Sequence, residues 1–256
     1  MAWRSRFFSP STETRNISTK DKMTSHDTIA PAGAQQSNLS SGWDVLYKQG
    51  ENGKPTWSEN PPPFIDEAKG LFFDSQRVIE LCSGDGRNTK VFCSWGANLT
   101  ALDISPTALD QLGKNFDLAG ITRPITVVGS ASDIPLGSGL FDLAVCIDGF
   151  PQLDRPRRAM EEVHRVLKPN GSFILNIFTP RDETYAKGEQ IGPRAFLYHA
   201  CLFQFYEAED FEPLFAGLFA VANKSVTTWR DPAHGDFRPY PHKHEALLYQ
   251  LKKLQT

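Results

Sequence analysis

From Arg77 onward the chain alternates short apolar runs with amphipathic segments, and this alternation constrains the fold more than any other feature. The apolar runs are 78–81, 99–104, 125–128, 143–147 and 172–178. Their near-continuous apolarity predicts strands buried on both faces, the environment of a parallel sheet covered by helices. Between the first two runs, Val91, Phe92 and Trp95 share one helical face, and Gly96 is a natural stop. Ser105 and Pro106 then supply an N-cap and a first helical residue. Ala108, Leu109, Leu112 and Phe116 form that helix's apolar stripe, and Gly120 closes it. A further stripe (Ala159, Val163, Val166, Leu167) predicts a helix over 156–167, ended by a tight turn at Lys168-Pro169-Asn170-Gly171.

Past Thr179 the alternation loosens. The spacing predicts a helix over 207–216 stopped by Gly217, and strands over 221–229 and 245–251 that pair as an antiparallel edge hairpin. The piece 181–206 reads as irregular and aromatic, suited to a cap. Together these elements predict a doubly wound, Rossmann-like α/β fold: a seven-stranded, mostly parallel sheet with an antiparallel edge hairpin and helices on both faces.

A chain of 256 residues is long enough for one well-cored domain. Residues 1–41, rich in Ser, Thr, Ala and Gln, are expected to be a flexible tail and 42–256 a single domain. A net charge of −3 gives no electrostatic reason for a nucleic-acid partner. No apolar run approaches the ~20 residues of a membrane-spanning helix. Four cysteines without a CxxC pair suit free thiols in a reducing compartment, so a cytoplasmic location is expected. The alternative is an organelle, because Arg4, Arg6, Arg15, Lys20 and Lys22 stand in an acid-poor, transit-like stretch.

In open α/β sheets ligands bind beyond the carboxyl ends of the strands. That rule selects loops 80–88, 103–105, 130–135 and 148–153. Gly84-Asp85-Gly86-Arg87-Asn88-Thr89 has the placement of a dinucleotide fingerprint, but Thr89 replaces the third glycine. Asp103 is positioned to bond ribose hydroxyls whichever cofactor is bound. A nicotinamide-dependent oxidoreductase therefore stands as the alternative enzyme class.

The combination of motifs is more specific. Glu80-Leu81-Cys82-Ser83-Gly84-Asp85-Gly86 resembles the first motif of class I methyltransferases, and Leu102-Asp103-Ile104-Ser105 resembles their second strand end. Ser132-Asp133-Ile134-Pro135 is similar to their adenine-binding segment, Phe141-Asp142-Leu143 to the start of their fourth strand, and Leu167–Ser172 to the turn before their fifth. The resemblance implies S-adenosylmethionine as cofactor, held by Glu80, Cys82, Gly84, Gly86, Asn88, Asp103, Ile104, Ser132, Asp133 and Asp148. It also implies a cofactor-binding half at 77–180, a cap at 181–206, and a C-terminal helix and edge strands at 207–256. Cys82 stands where the family has its first glycine. That departure keeps open a non-catalytic binding or scaffold protein of the same fold. Trp43-Asp44-Val45-Leu46-Tyr47, with Trp57, resembles the N-terminal lid (42–76) of small-molecule methyltransferases of the thiopurine and tellurite-resistance type.

This cofactor has no phosphate. Its pocket needs acceptors for two hydroxyls, an amine and an ammonium, and the acidic loops supply them. Methyl transfer is an in-line displacement that depends on alignment and exclusion of water. A general base is needed only for a protonated acceptor of high pKa. Catalytic candidates are Asp148, Tyr185 and His199, of which His199 is the candidate base. Trp43, Tyr47, Trp57, Phe150, Tyr198, His199, Trp229 and His242 are candidates to contact a small-molecule acceptor. His234, His242 and His244 with Asp231 and Asp236 raise the question of a metal. No helix-based ligand pair accompanies them, so the expectation is a substrate-contacting loop without metal.

Overall fold

The computed structural model describes residues 42–48, 60–73, 76–234 and 238–255. The tail at 1–41, and Trp57 and Asp236, lie outside these residues. Residues 42–48 form a short helix (α1), and Pro63–Leu71 follow as a 3₁₀ turn. The alternating region then gives β1 (Arg77–Leu81), α2 (Arg87–Ser94), β2 (Asn98–Asp103), α3 (Pro106–Ala119), β3 (Ile125–Val128), β4 (Phe141–Cys146), α4 (Pro156–Val166) and β5 (Leu167–Phe178). Three short strands come next: β6 (Glu189–Gly192), β7 (Ala195–Tyr198) and β8 (Cys201–Gln204). The chain closes with α5 (Ala208–Phe211), β9 (Phe219–Asp231) and β10 (His242–Lys253).

Seven strands form one sheet in the order β3-β2-β1-β4-β5-β10-β9. The first five are parallel, and β10 runs antiparallel to both β5 and β9. This is the expected doubly wound sheet with its antiparallel edge hairpin. Successive residues of each inner strand belong to opposite cores. Ile79, Leu81, Ala144, Cys146, Phe173, Leu175 and Tyr249 pack with α4 and α5. Val78, Leu143, Val145, Ile174 and Leu248 pack with α1, the 3₁₀ turn and Phe92 of α2. Neither face of the central strands meets water, which is why their sequences read as unbroken apolar runs.

Ser105 caps α3 as predicted, its side chain accepting from the Ala108 amide at 3.1 Å. Three predictions need correction. Lys168–Gly171 is not a turn between elements: β5 already starts at Leu167, opposite Phe141, and the register then jumps so that Ser172 faces Leu143. The extra residues bulge out around Asn170, whose φ of 60° takes up the bend. The helix expected over 207–216 spans only Ala208–Phe211 before tightening to a 3₁₀ turn at Glu212–Leu214. Pro213 has no N–H and cannot extend the α pattern. The segment 181–206 is not irregular, because β6, β7 and β8 form a separate antiparallel sheet. His199 and Ala200 both take positive φ and make the two-residue turn of its second hairpin.

Candidate functional site

The loops leaving β1, β2, β3 and β4 border a cleft of about 900 Å³ open to solvent. At its floor β1 gives way to a tight loop. Cys82 has φ 55° and Gly84 φ 56°, so the feature singled out in the sequence is a side chain held in the left-handed region. Gly84 has no room for a side chain, since a Cβ there would come within 2.4 Å of the Tyr47 hydroxyl, and α1 lies directly over the loop. The Gly84 amide donates to Asp103 Oδ2 at 2.8 Å and the Ser105 amide to Asp103 Oδ1 at 2.9 Å, which fixes that carboxylate at the end of β2. Burial pushes the Asp103 pKa up to about 6, partly offset by these amide bonds.

The far wall carries Asp148, a non-glycine residue at φ 61°. Its amide donates to Asn176 Oδ1 at 2.7 Å, and Asn176 Nδ2 donates back to Asp148 Oδ1 at 2.8 Å. Arg87 Nη2 reaches Asp148 Oδ2 at 2.7 Å, with both side chains mostly buried. The carboxylate is thus fully engaged, an arrangement suited to positioning. Neither Arg87 nor Asn176 was among the expected site residues. Asn176, wholly buried inside an apolar strand, carried a readable signal: such an amide needs partners. The opposite wall is α1. Trp43 and Tyr47 line the cleft, while Asp44 accepts from the Ser105 hydroxyl and, at 3.3 Å, from the Thr107 amide.

Of the residues expected to hold the cofactor, Cys82, Gly84, Asn88, Asp103, Ile104 and Asp148 border this cleft. Glu80, Gly86, Ser132 and Asp133 are not among its lining. Glu80 is buried behind the loop and accepts from the Thr89 hydroxyl at 2.6 Å; burial pushes its pKa to about 8, and the Thr89 bond opposes that rise. Gly86 caps α2. Ser132 is buried with its hydroxyl donated to the Arg155 carbonyl at 3.2 Å, whereas Asp133 is exposed. Its neighbours Ser130 and Ala131 line the cleft instead.

The acceptor candidates divide more sharply. Trp43 and Tyr47 line the cleft. Phe150 does not: it is wholly buried and packs edge-on against Phe211 with ring centroids 5.5 Å apart, so it belongs to the core. An aromatic at a strand end reads alike in both roles. Tyr185 packs edge-on against Phe196 and Phe205, Tyr198 lies under Arg238, and His199 is exposed at its hairpin tip. None of these three lines the cleft. Trp229 is buried against Phe64 and His244, and His242 is buried beside His234 and His244.

Among the described residues the lining has one cation, Arg87, and four carboxylates, Asp85, Asp103, Asp148 and Asp154. Such a field favours a cationic ligand and repels phosphates.

The family described as "Methyltransferase domain" matches residues 79–175. An uncharacterised methyltransferase of Mycobacterium tuberculosis is 31% identical over 142 residues, covering 56% of this chain and 54% of that protein. A demethylmenaquinone methyltransferase of Clavibacter sepedonicus is 27% identical over 157 residues, covering 61% and 60%. The chain thus spans a little over half the length of these curated relatives. Among solved structures, the 1,6-didemethyltoxoflavin-N1-methyltransferase of Burkholderia thailandensis, with bound 1,6-didemethyltoxoflavin and S-adenosylhomocysteine, superposes with a TM-score of 0.60 at 19% identity, covering 90% of this chain and 94% of that one. The matched stretch holds the glycine loop, Asp103 and Asp148, and over it the chain is similar to the methyltransferase domain family.

Proposed function

We propose that this chain transfers a methyl group from S-adenosylmethionine to a small organic acceptor. The observation that carries the reading is the charge of the cleft: among the described residues four carboxylates face one guanidinium, and Asp148 engages that guanidinium at 2.7 Å. A nicotinamide dinucleotide would bring two phosphates into this field, whereas a sulfonium and an ammonium are stabilised by it. The cofactor supplies an activated methyl group, and the protein's part is to bind, align and exclude water.

In this reading Asp103 accepts from the ribose hydroxyls. The loop at Cys82–Gly86 and Asn88 hold the amino-acid end, with Glu80 supporting the loop from behind through Thr89. Ile104, with Ser130 and Ala131 at the start of the segment that continues to Ser132 and Asp133, borders the adenine. Trp43 and Tyr47 close the cleft as part of an N-terminal lid. The carboxylate of Asp148 is held by Arg87 and Asn176, which suits it to orienting a ligand at the end of β4. The small-molecule nature of the acceptor is supported by the toxoflavin precursor named for the Burkholderia enzyme and by the demethylmenaquinone named for the Clavibacter relative. None of the described helices is long and apolar enough to cross a membrane. The four free cysteines support a reducing, cytoplasmic setting.

Calorimetric titration of the full chain with S-adenosylhomocysteine and, separately, with NADH tests the reading. The expected outcome is saturable binding of the first and none of the second. Preferential binding of NADH, or a well-folded chain that binds neither, overturns it. A screen of small acceptors with methylated product detected by mass then identifies the substrate.

A further inference from the structure

The antiparallel edge hairpin carries a cluster that methyl transfer does not require. Asp231, near the end of β9, is the register partner of His242, at the start of β10. The connecting segment returns His234 to the same place through paired backbone bonds between His234 and Arg238 at 2.8 and 3.1 Å. One ligand atom from each of Asp231, His234 and His242 lies within 4.8 Å of the others.

His242 points to a ligand independently of that clustering. Its ring is 1% exposed, and Nδ1 lies 3.0 Å from the Tyr240 carbonyl. A carbonyl only accepts, so the proton sits on Nδ1 and Nε2 keeps its lone pair. That Nε2 is buried without a hydrogen-bond partner. A metal-binding histidine is prepared in this way, with one nitrogen tied to a carbonyl and the other free and unprotonated. His244 donates through Nδ1 to buried Asp182 at 2.8 Å, and its Nε2 stops 3.8 Å from Asp231 Oδ2, beyond hydrogen-bond reach.

We propose that Asp231, His234 and His242 bind a divalent first-row transition ion of the zinc type, beside the cleft. Two imidazoles and a carboxylate are a borderline donor set, and three protein ligands leave a coordination position open. Ligands about 2.0–2.1 Å from an ion lie within ~3.4 Å of one another in tetrahedral geometry, so side-chain rotation closes the site. Asp231 is near enough to Arg87 and Asp148, both of which line the cleft, to feel their charges, so the ion would sit beside the cleft. The acceptor-facing role rests on the methyl-transfer reading; the metal site itself does not. An acceptor hydroxyl, thiol or amine on the open position loses its proton to solvent more readily. Its lone pair then forms the bond to the methyl carbon as the carbon–sulfur bond breaks, leaving a neutral thioether.

The test uses the full chain without a histidine tag, stripped with chelator and titrated with Zn²⁺ by calorimetry. One ion per chain is expected, and His242→Ala and Asp231→Asn should each weaken uptake by more than about a hundredfold. Co²⁺ added to the unaltered chain should give the visible absorption of a four- or five-coordinate site, a readout that does not depend on any variant folding. No stoichiometric Zn²⁺ uptake, a purely octahedral Co²⁺ spectrum, or full uptake by a cooperatively melting His242→Ala variant overturns the proposal. Binding of S-adenosylhomocysteine, measured in parallel, separates the two readings: loss of either ligand alone defeats only the corresponding claim.

Discussion

Asp103 pays for its position with desolvation, and this makes cofactor binding sensitive to pH. Its pKa of about 6 lies above the ordinary carboxylate value because burial disfavours the charge, against the pull of the Gly84 and Ser105 amides. Ribose hydroxyls donate to the ionised form. Affinity for S-adenosylhomocysteine should therefore fall as pH drops through about 6 and level off above about 7. Asp103→Asn should bind about ten- to hundredfold more weakly at neutral pH, the loss of a charged acceptor, and should lack that pH step. Calorimetry at several pH values checks both, and an unchanged step in the variant would assign the titration to another group.

Among elements, α1 contributes most to the site for its length. Asp44 accepts from Ser105 and Thr107 at the start of α3, Gln111 Nε2 donates to the Tyr47 carbonyl at 2.6 Å, and so the helix is fixed over the glycine loop. Asp44→Ala should lower stability by about 1 kcal/mol, as loss of a capping acceptor does, visible as a lower urea midpoint. It should also weaken S-adenosylhomocysteine binding several-fold, because Trp43 and Tyr47 lose their seat. The inner sheet was legible from sequence because burial on both faces leaves strands few residue types to use. The cap was not. Its second hairpin turns on His199 and Ala200, neither of which advertises positive φ as Asn-Gly does. Nor was the grip on Asp148 legible, since Asn176 and Arg87 reach it from β5 and α2, and only folding brings them together.

For the molecule as a whole, Glu80 couples stability to pH in the direction opposite to most carboxylates. The folded chain keeps its proton up to about pH 8, while the unfolded chain releases it near the ordinary value of 4.5. The contribution to stability is complete below about 4.5 and is lost as pH rises toward 8. Glu80→Gln removes the ionisation, so its melting temperature relative to the unaltered chain should be higher at about pH 8.5 than at about pH 5. An equal difference at both values would mean that Glu80 titrates normally. The same burial explains why the sequence placed Glu80 in the pocket: its position in the motif is that of a ligand residue, but its side chain turns behind the loop toward Thr89.

Cys82 and Gly149 are a matched pair. A Cβ at position 149 would stand 2.3 Å from the Cys82 Cβ and 3.0 Å from its sulfur. Gly149→Ala therefore requires the backbone at Cys82 to shift, and it also crowds the Cys146 sulfur at 3.3 Å. While cysteine occupies position 82, a side chain at 149 has to displace the loop after β1. What reads as a lapse in a motif is half of a steric fit across the mouth of two strands.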